Sequence, residues 1–329
     1  MNNNKLKLMQ ALPLEMKVAR TKRVIETWVD YWGVDGTYVS FSGGKDSTVL
    51  LHLVRSLYPE IEAVFSDTGL EYPELREFVN KQENVTIVRP KMHFKEVLSN
   101  YGYPVISKEQ SYYIYQARTT KSEKLRNLRL NGSEKGNFKI ADKWKFMLDA
   151  PFPIHSKCCD IMKKSPIKSY EKESGKVPII GTMAEESRMR KQQYLKHGCN
   201  AFDLKTPHST PLGFWTQEDI LQYIYENDLE IASVYGKVVK DPNGRYYTEG
   251  VNRTGCVFCM YGVHLEDPNN NRFHKLEESH PKLHDYCINK LGMGDVLDYM
   301  NIKYSKNQTA TDVQEPQEEE KEVQLEFNL

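Results

Sequence analysis

Two groups of residues in this chain have the types and spacing to do chemistry. The first is Ser42-Gly43-Gly44-Lys45-Asp46-Ser47, which follows the β-rich run Tyr38-Val39-Ser40-Phe41 and precedes Leu50, Leu53, Val54 and Leu57 at helical spacing. Two glycines at such a junction let the backbone turn sharply and approach a ligand. The amide hydrogens and dipole at the helix start then attract a polyphosphate. Lys45 adds a point charge, and Ser42 and Ser47 offer hydroxyls to phosphate oxygens. The spacing of a Walker loop is not met. An ordinary strand-to-helix turn could contain Gly-Gly, but the conjunction of Ser, Lys, Asp and Ser around it favours phosphate binding.

The second group is four cysteines in two tight pairs, Cys158-Cys159 and Cys256-Val257-Phe258-Cys259. Two short pairs can each supply half of a tetrahedral thiolate set, and thiolates prefer soft acceptors. A [4Fe–4S] cluster, Zn2+ and simple buried thiols are all open on spacing alone; adjacent cysteines suit one zinc less well than CxxC pairs do. Cys199 and Cys287 stand alone and read as structural. A third feature is softer. From Arg118 to Lys176 there are fifteen Lys and Arg against seven Asp and Glu, with Tyr112, Tyr113, Tyr115, Phe138, Trp144 and Phe146 interleaved or just before. That mixture suits phosphate backbones and stacked bases, and equally a solvated helical lid with an aromatic core face.

The elements that must position these groups follow from periodicity. The runs Thr37 to Phe41, Ile61 to Phe65, Val85 to Val88 and Val177 to Ile180 alternate with helical segments. The pattern predicts α/β architecture: a doubly wound parallel sheet. A helical arm is expected over 1–35, closed by Gly33, and the nucleotide-binding domain over 36–235. Within that domain a helical, basic insertion is expected at about 93–176, too long for a loop, and a helix over 216–227 with Thr216 as N-cap and Asp219 at its third position. Gly-, Asn- and Pro-rich texture marks a small cysteine-bearing subdomain over 236–304. Residues 305–329, with Glu315, Glu318, Glu319, Glu320, Glu322 and Glu326, are expected to form a disordered acidic tail.

Composition narrows the setting. The chain has 329 residues, 39% of them hydrophobic, which allows a substantial core, and 45 basic residues balance 45 acidic ones. Zero net charge gives no global pull toward nucleic acid or membrane. No apolar run is long enough to span a bilayer, and Met1-Asn2-Asn3-Asn4-Lys5 lacks a signal-like apolar core. A cytoplasmic protein with reduced thiols is expected, without membrane association.

The loop resembles that of the PP-loop ATPases, and the wider chain resembles their phosphoadenosine-phosphosulfate (PAPS) reductase family. Three further ordered segments carry the likeness: Phe65-Ser66-Asp67-Thr68-Gly69-Leu70-Glu71-Tyr72-Pro73-Glu74, Gly181-Thr182-Met183-Ala184-Glu185-Glu186-Ser187-Arg188-Met189-Arg190, and Thr210-Pro211-Leu212 leading to Trp215-Thr216-Gln217-Glu218-Asp219-Ile220. Together they span about 36–228. The resemblance implies that Ser42, Gly43, Gly44, Lys45, Asp46 and Ser47 hold the phosphates of ATP or a related adenylyl nucleotide, with Mg2+ bridging them. It implies that Asp67, Thr68 and Gly69 lie near the adenosine, and that Arg190, with Glu186 beside it, faces the anionic end. Lys45, Asp46 and Arg190 are then the candidate catalytic residues.

Adenylyl-sulfate reductases carry a similar Cys-Cys and CxxC holding a [4Fe–4S] cluster, and DNA-phosphorothioation ATPases in the same superfamily also carry a cluster. The resemblance therefore implies a cluster on Cys158, Cys159, Cys256 and Cys259. Two departures matter. Met183 stands where the family often has an arginine, and no cysteine follows Cys287, whereas the reductases attack with a cysteine near the C-terminus. That argues against PAPS reduction by a thiol of this chain.

The expected activity is thus adenylation of an acceptor with release of pyrophosphate, serving sulfur transfer, with nucleic acid or a sulfur-donor protein as partner. Reduction of a sulfonucleotide with an external thiol, and an ATP-sensing regulatory or defence subunit, are the alternatives.

Overall fold

The computed structural model describes residues 2–306, so the expected acidic tail lies outside the described residues apart from Ser305 and Lys306. The chain divides into two compact units. One comprises residues up to Val97 together with Cys158–Val257; the other comprises Leu98–Lys157 together with residues from Phe258 on.

The first unit begins with two helices rather than one arm: α1 (Asn3–Gln10) and α2 (Leu14–Trp32). Asn2 caps α1 by accepting a hydrogen bond from the Lys5 amide, and Pro13, which cannot donate an amide hydrogen, separates the two helices. Gly33, at φ +75°, ends α2 as its sequence position suggests. Strand β1 (Thr37–Ser40) leads into α3 (Lys45–Arg55), β2 (Ala63–Ser66), α4 (Pro73–Asn80) and β3 (Val85–Val88). The helices α5 (Phe94–Asn100), α6 (Lys108–Thr119) and α7 (Glu123–Asn131) carry the chain through the second unit. It returns through α8 (Ser165–Ser174) to β4 (Val177–Ile180), α9 (Arg188–His197), two-residue strands β5 (Asn200–Ala201) and β6 (His208–Ser209), α10 (Gln217–Glu226) and a hairpin of β7 (Val238–Lys240) and β8 (Tyr246–Thr248).

The six-stranded sheet has the order β3-β2-β1-β4-β6-β5, parallel except for β5. Chain order runs outward from β1 through β2 to β3, then restarts on its other side with β4. The sheet therefore switches direction between β1 and β4. At such a switch the loops leaving adjacent strands part and open a crevice at their carboxyl ends. Ser42–Ser47 leaves β1 and Gly181–Arg190 leaves β4, so both motifs sit at that crevice. β1, β2 and β4 begin with three buried residues each, the two-sided burial that makes parallel strands near-continuous apolar runs.

One polar pair lies inside this apolar unit. The Lys17 ammonium of α2 donates to both carboxylate oxygens of Asp219 at 2.7 Å. Asp219 also closes a capping box with Thr216 at the start of α10. The Trp215 indole donates to Thr21 at 2.8 Å, so two of α2's polar side chains dock the segment before α10.

The expected insertion is narrower than 93–176, and it shares a compact unit with the C-terminal residues instead of standing apart from them. Specific bonds within that unit explain why. The Tyr103 hydroxyl donates to the Leu291 carbonyl at 2.9 Å, the Gly262 amide to Ile106 at 2.8 Å and the Tyr299 hydroxyl to Phe146 at 3.2 Å. Its later helices are α11 (Arg272–Ser279), α12 (Pro281–Asp285) and α13 (Met293–Tyr299). Among the interleaved aromatics, Tyr113 and Trp144 are buried, while Tyr112, Phe138 and Phe146 are exposed. Among the described residues, no helix is long and apolar enough to cross a membrane.

Candidate active site

The first βα turn depends on Gly43. Its φ is +70°, and a β-carbon there would lie 2.7 Å from the Val79 side chain and 2.8 Å from that of Leu75, both on α4. Only glycine allows the turn to lie this close to α4. Gly43 therefore shapes the loop from behind, while Ser42, Gly44, Lys45, Asp46 and Ser47 line a cavity of about 380 Å3. Thr182, Glu186 and Arg190 line it from beyond β4, Ser66 and Glu71 from beyond β2, and Tyr235, Arg253 and Thr254 from the loop region after α10.

The loop amides are not bare. The Ser42 amide donates to the Ser47 hydroxyl at 3.2 Å, the Gly44 amide to the Ser42 hydroxyl at 3.3 Å and the Lys45 amide to the Tyr235 hydroxyl at 3.3 Å. These contacts are at or beyond the long end of the usual N–H···O range, so they are weak and replaceable. A charged phosphate oxygen would make shorter, stronger bonds with the same donors. Hydroxyls thus satisfy three of the loop's amides.

Lys45 is buried, and its ammonium donates to the Asn252 carbonyl at 2.8 Å while lying 5.5 Å from the Tyr235 ring centroid. Burial lowers its pKa, with Asp46 opposing that shift. Burial likewise raises the pKa of Asp46, against the pull of Lys45. Asp46 Oδ1 is buried and accepts no hydrogen bond. A carboxylate oxygen without a partner at a cavity wall is a hard donor open to a cation such as Mg2+, so this residue fits the expected metal.

Across the cavity, Glu186 pairs with Arg190 and lies 3.7 Å from Arg253, while its other oxygen accepts the Met183 amide at 2.9 Å. Glu186 thus orients two arginines rather than presenting a bare charge. The lining holds four cations, Lys45, Lys163, Arg190 and Arg253, against the acids Asp46, Glu71 and Glu186. The arrangement suits an anion whose charge is spread over several groups.

Asp67, Thr68 and Gly69 are not among the residues that line this cavity. Asp67 Oδ2 is held by Arg76 at 3.0 Å and Arg89 at 3.2 Å, and Oδ1 accepts the Gly69 amide at 3.2 Å. Thr68 donates its hydroxyl to Glu71 at 2.7 Å and its amide at 3.1 Å. With its acceptors engaged, Asp67 stiffens the turn, and Glu71 is the side chain this turn brings to the cavity wall. The sequence reading also passed over Tyr235, Arg253 and Thr254. The local signal for Arg253 and Thr254 is Asn252-Arg253-Thr254-Gly255 just before Cys256, a basic residue in a Gly-rich segment.

Residues 36–261 match the family model described as the phosphoadenosine phosphosulfate reductase domain. The chain belongs to this reductase-domain family. Among curated relatives it is 24% identical over 265 residues to the uncharacterized protein MJ0973 of Methanocaldococcus jannaschii, with 77% of this chain and 46% of that protein covered. A second protein of that organism, MJ0066, is 24% identical over 268 residues, with 41% of its length covered. The chain thus spans less than half the length of these two relatives. It is also 23% identical over 256 residues to the adenosine 5′-phosphosulfate reductase of Staphylococcus haemolyticus, covering 76% of this chain and 81% of that enzyme. Among solved structures, the PAPS reductase of Candida auris aligns at 15% identity over 74% of this chain and 98% of its own, with a TM-score of 0.39.

Cys158 and Cys159 bring their sulfurs to 3.8 Å, on the approach to α8. Among the described residues, however, no group of three or more His, Cys, Asp or Glu side chains is arranged to hold a metal ion. Cys199 is held by burial at a pKa of about 11, and Cys287 at about 12, so both stay as thiols at neutral pH.

Proposed function

We propose that this domain binds ATP or a related adenylyl nucleotide in the crevice between β1 and β4 and transfers the adenylyl group to an acceptor. Pyrophosphate is released, and the product feeds a sulfur-transfer reaction whose partner is a sulfur-donor protein or a nucleic acid. The observation that carries this reading is the cavity whose wall joins the Ser42–Ser47 loop, at the start of α3, to Arg190 and Arg253. A helix start plus four cations is an anion site by its own physics.

In this reading an acceptor oxygen attacks the α-phosphorus, and the bond to the bridging oxygen breaks. Pyrophosphate leaves with the electron pair. Lys45, Arg190 and Arg253 stabilise charge that builds on the phosphates, and Glu186 positions the two arginines. Asp46 would hold Mg2+, which supplies charge neutralisation at the leaving group. Thr182 and the loop hydroxyls orient phosphate oxygens.

The test is to incubate the protein with labelled ATP and candidate acceptors and to identify the products. Formation of pyrophosphate with an equal amount of adenylylated acceptor, or of AMP where an added sulfur donor displaces it, supports the proposal; ADP and phosphate, or no turnover with any acceptor, speaks against it. A second reading, reduction of a sulfonucleotide with a thiol from a partner, is favoured by the likeness to the Staphylococcus haemolyticus enzyme over 81% of that protein's length. Release of sulfite from adenylyl sulfate with an added dithiol would select it. Whether the chain carries iron is a separate question, answered by iron and acid-labile sulfide analysis of anaerobically purified protein.

A further inference from the structure

A second cavity, of about 430 Å3, shares Lys45, Asp46, Glu186 and Arg253 with the nucleotide cavity as a common wall. Met183 and Leu221 contribute apolar surface, and the β8 tyrosines Tyr246 and Tyr247 contribute aromatic surface. Tyr246 is held there by ring contact with Tyr225 at 5.3 Å and by its amide, which donates to Glu218 at 3.0 Å. Tyr247 is 48% exposed.

Besides Asp46 Oδ1, assigned above to Mg2+, one polar atom on the residues of this cavity is unclaimed. Gln217 Nε2 is buried and makes no hydrogen bond. Burying an amide donor without an acceptor is unfavourable, and a ligand oxygen would relieve it. Among its neighbours in the wall, Lys45 donates to Asn252, Glu185 accepts the Gln217 amide at 3.1 Å, and Glu186 is shared between two arginines. Asp46, Glu185 and Glu186 outnumber Lys45 and Arg253, so an anionic ligand would meet a net negative wall. What fits one free N–H donor, two tyrosines and an apolar floor is an uncharged planar ring bearing a carbonyl oxygen.

We infer that this cavity is the acceptor pocket of the adenylyl-transfer reaction proposed above, on which the inference rests. Its ligand class is the neutral lactam ring, as in uracil-type and guanine-type bases. Gln217 binds the carbonyl oxygen, and the tyrosines pack against the ring. The shared wall places the ring beside the residues that hold the nucleotide's phosphates. The same ring can arrive as a free nucleoside or within a single strand.

The experiment is calorimetric titration of the full chain, saturated with a non-hydrolysable ATP analogue, using uridine and, separately, a uridine-containing single-stranded RNA oligomer. Binding of either probe, weakened about tenfold in both Gln217→Leu and Tyr247→Ala, supports the pocket. Binding of the oligomer alone identifies the strand as the source. Tyr247 is exposed, so its replacement keeps the fold if Gln217→Leu does not. No binding of either probe, or binding unchanged in both variants, overturns the inference. The ATP analogue's own affinity is read in the same experiment. If it binds and the probes do not, the acceptor pocket fails while the nucleotide site stands; if it does not bind, the nucleotide reading itself fails.

Discussion

The Lys45 ammonium donates to the Asn252 carbonyl at 2.8 Å, joining the phosphate loop to a chain segment 207 residues further on. This bond is the reason Arg253 and Thr254 belong to the site. It also makes Lys45 a structural tie as well as a binding charge, so removing it has two separable effects. Lys45→Ala should weaken nucleotide binding by about 1.5–3 kcal/mol, roughly ten- to a hundredfold in Kd. In hydrogen exchange, the amides of 250–255 should lose protection. Unchanged affinity by calorimetry would contradict the assignment of this loop.

Arg253→Ala separates binding from folding. Its side chain is 76% exposed and its ion pair with Glu186 is long at 3.7 Å, so little stability depends on it. The variant should bind the ATP analogue about tenfold more weakly, with a thermal midpoint unchanged within error. Equal nucleotide affinity in the variant and the parent would remove Arg253 from the site.

Asp46 supplies a pH prediction. Burial raises its pKa above the ordinary 3.8, so below 3.8 both folded and unfolded forms are protonated, and its favourable contribution is fully present there. As pH rises through the elevated folded value, the folded state must ionise a buried carboxyl, and that contribution is lost. Asp46→Asn should therefore raise the thermal midpoint of the nucleotide-free protein at pH 7, with the gain shrinking as pH falls toward 4. The same variant should lose most of the Mg2+ dependence of nucleotide affinity. A lower midpoint at pH 7 would show that the carboxylate is stabilised by something other than its present surroundings.

The Lys17–Asp219 pair predicts non-additivity. Lys17→Met leaves a buried carboxylate without its cation, at a cost of about 3–5 kcal/mol. Lys17→Met combined with Asp219→Asn should be less destabilised than Lys17→Met alone, because the stranded charge is gone and the asparagine can still accept hydrogen bonds at the start of α10. Urea denaturation of the two variants checks this; equal or greater loss in the double variant would show that the pair acts only through the cap.

How far the sequence spoke for itself depended on how local each signal was. β1, β3 and β4 and the Thr216 cap of α10 were legible because their signals lie in neighbouring residues: β-branched runs, and a capping box three residues apart. That the Ser42–Ser47 loop and Arg190 border one cavity follows from equally local signals, the segments that leave β1 and β4. Tyr235, Arg253 and Thr254 were not legible, because what brings them to the cavity is a bond from Lys45 to a distant carbonyl and a contact between Tyr235 and the Lys45 amide. The bonds that Asp67 accepts from Arg76, on α4, and Arg89, just after β3, are likewise announced by nothing in the local motif. The joining of residues 98–157 with those from 258 on likewise rests on bonds such as Tyr103 to Leu291, which have no local pattern.

The central claim is that the amides and cations of the first βα turn hold a nucleotide's phosphates. A crystal structure of the protein with a non-hydrolysable ATP analogue and Mg2+ tests it most directly. The account predicts phosphate oxygens in hydrogen-bond contact with the amides of Gly44 and Lys45, displacing the Ser42 and Tyr235 hydroxyls, with Arg190 and Arg253 on the same phosphates. A nucleotide bound elsewhere, with those hydroxyls still in place on the amides, would contradict it.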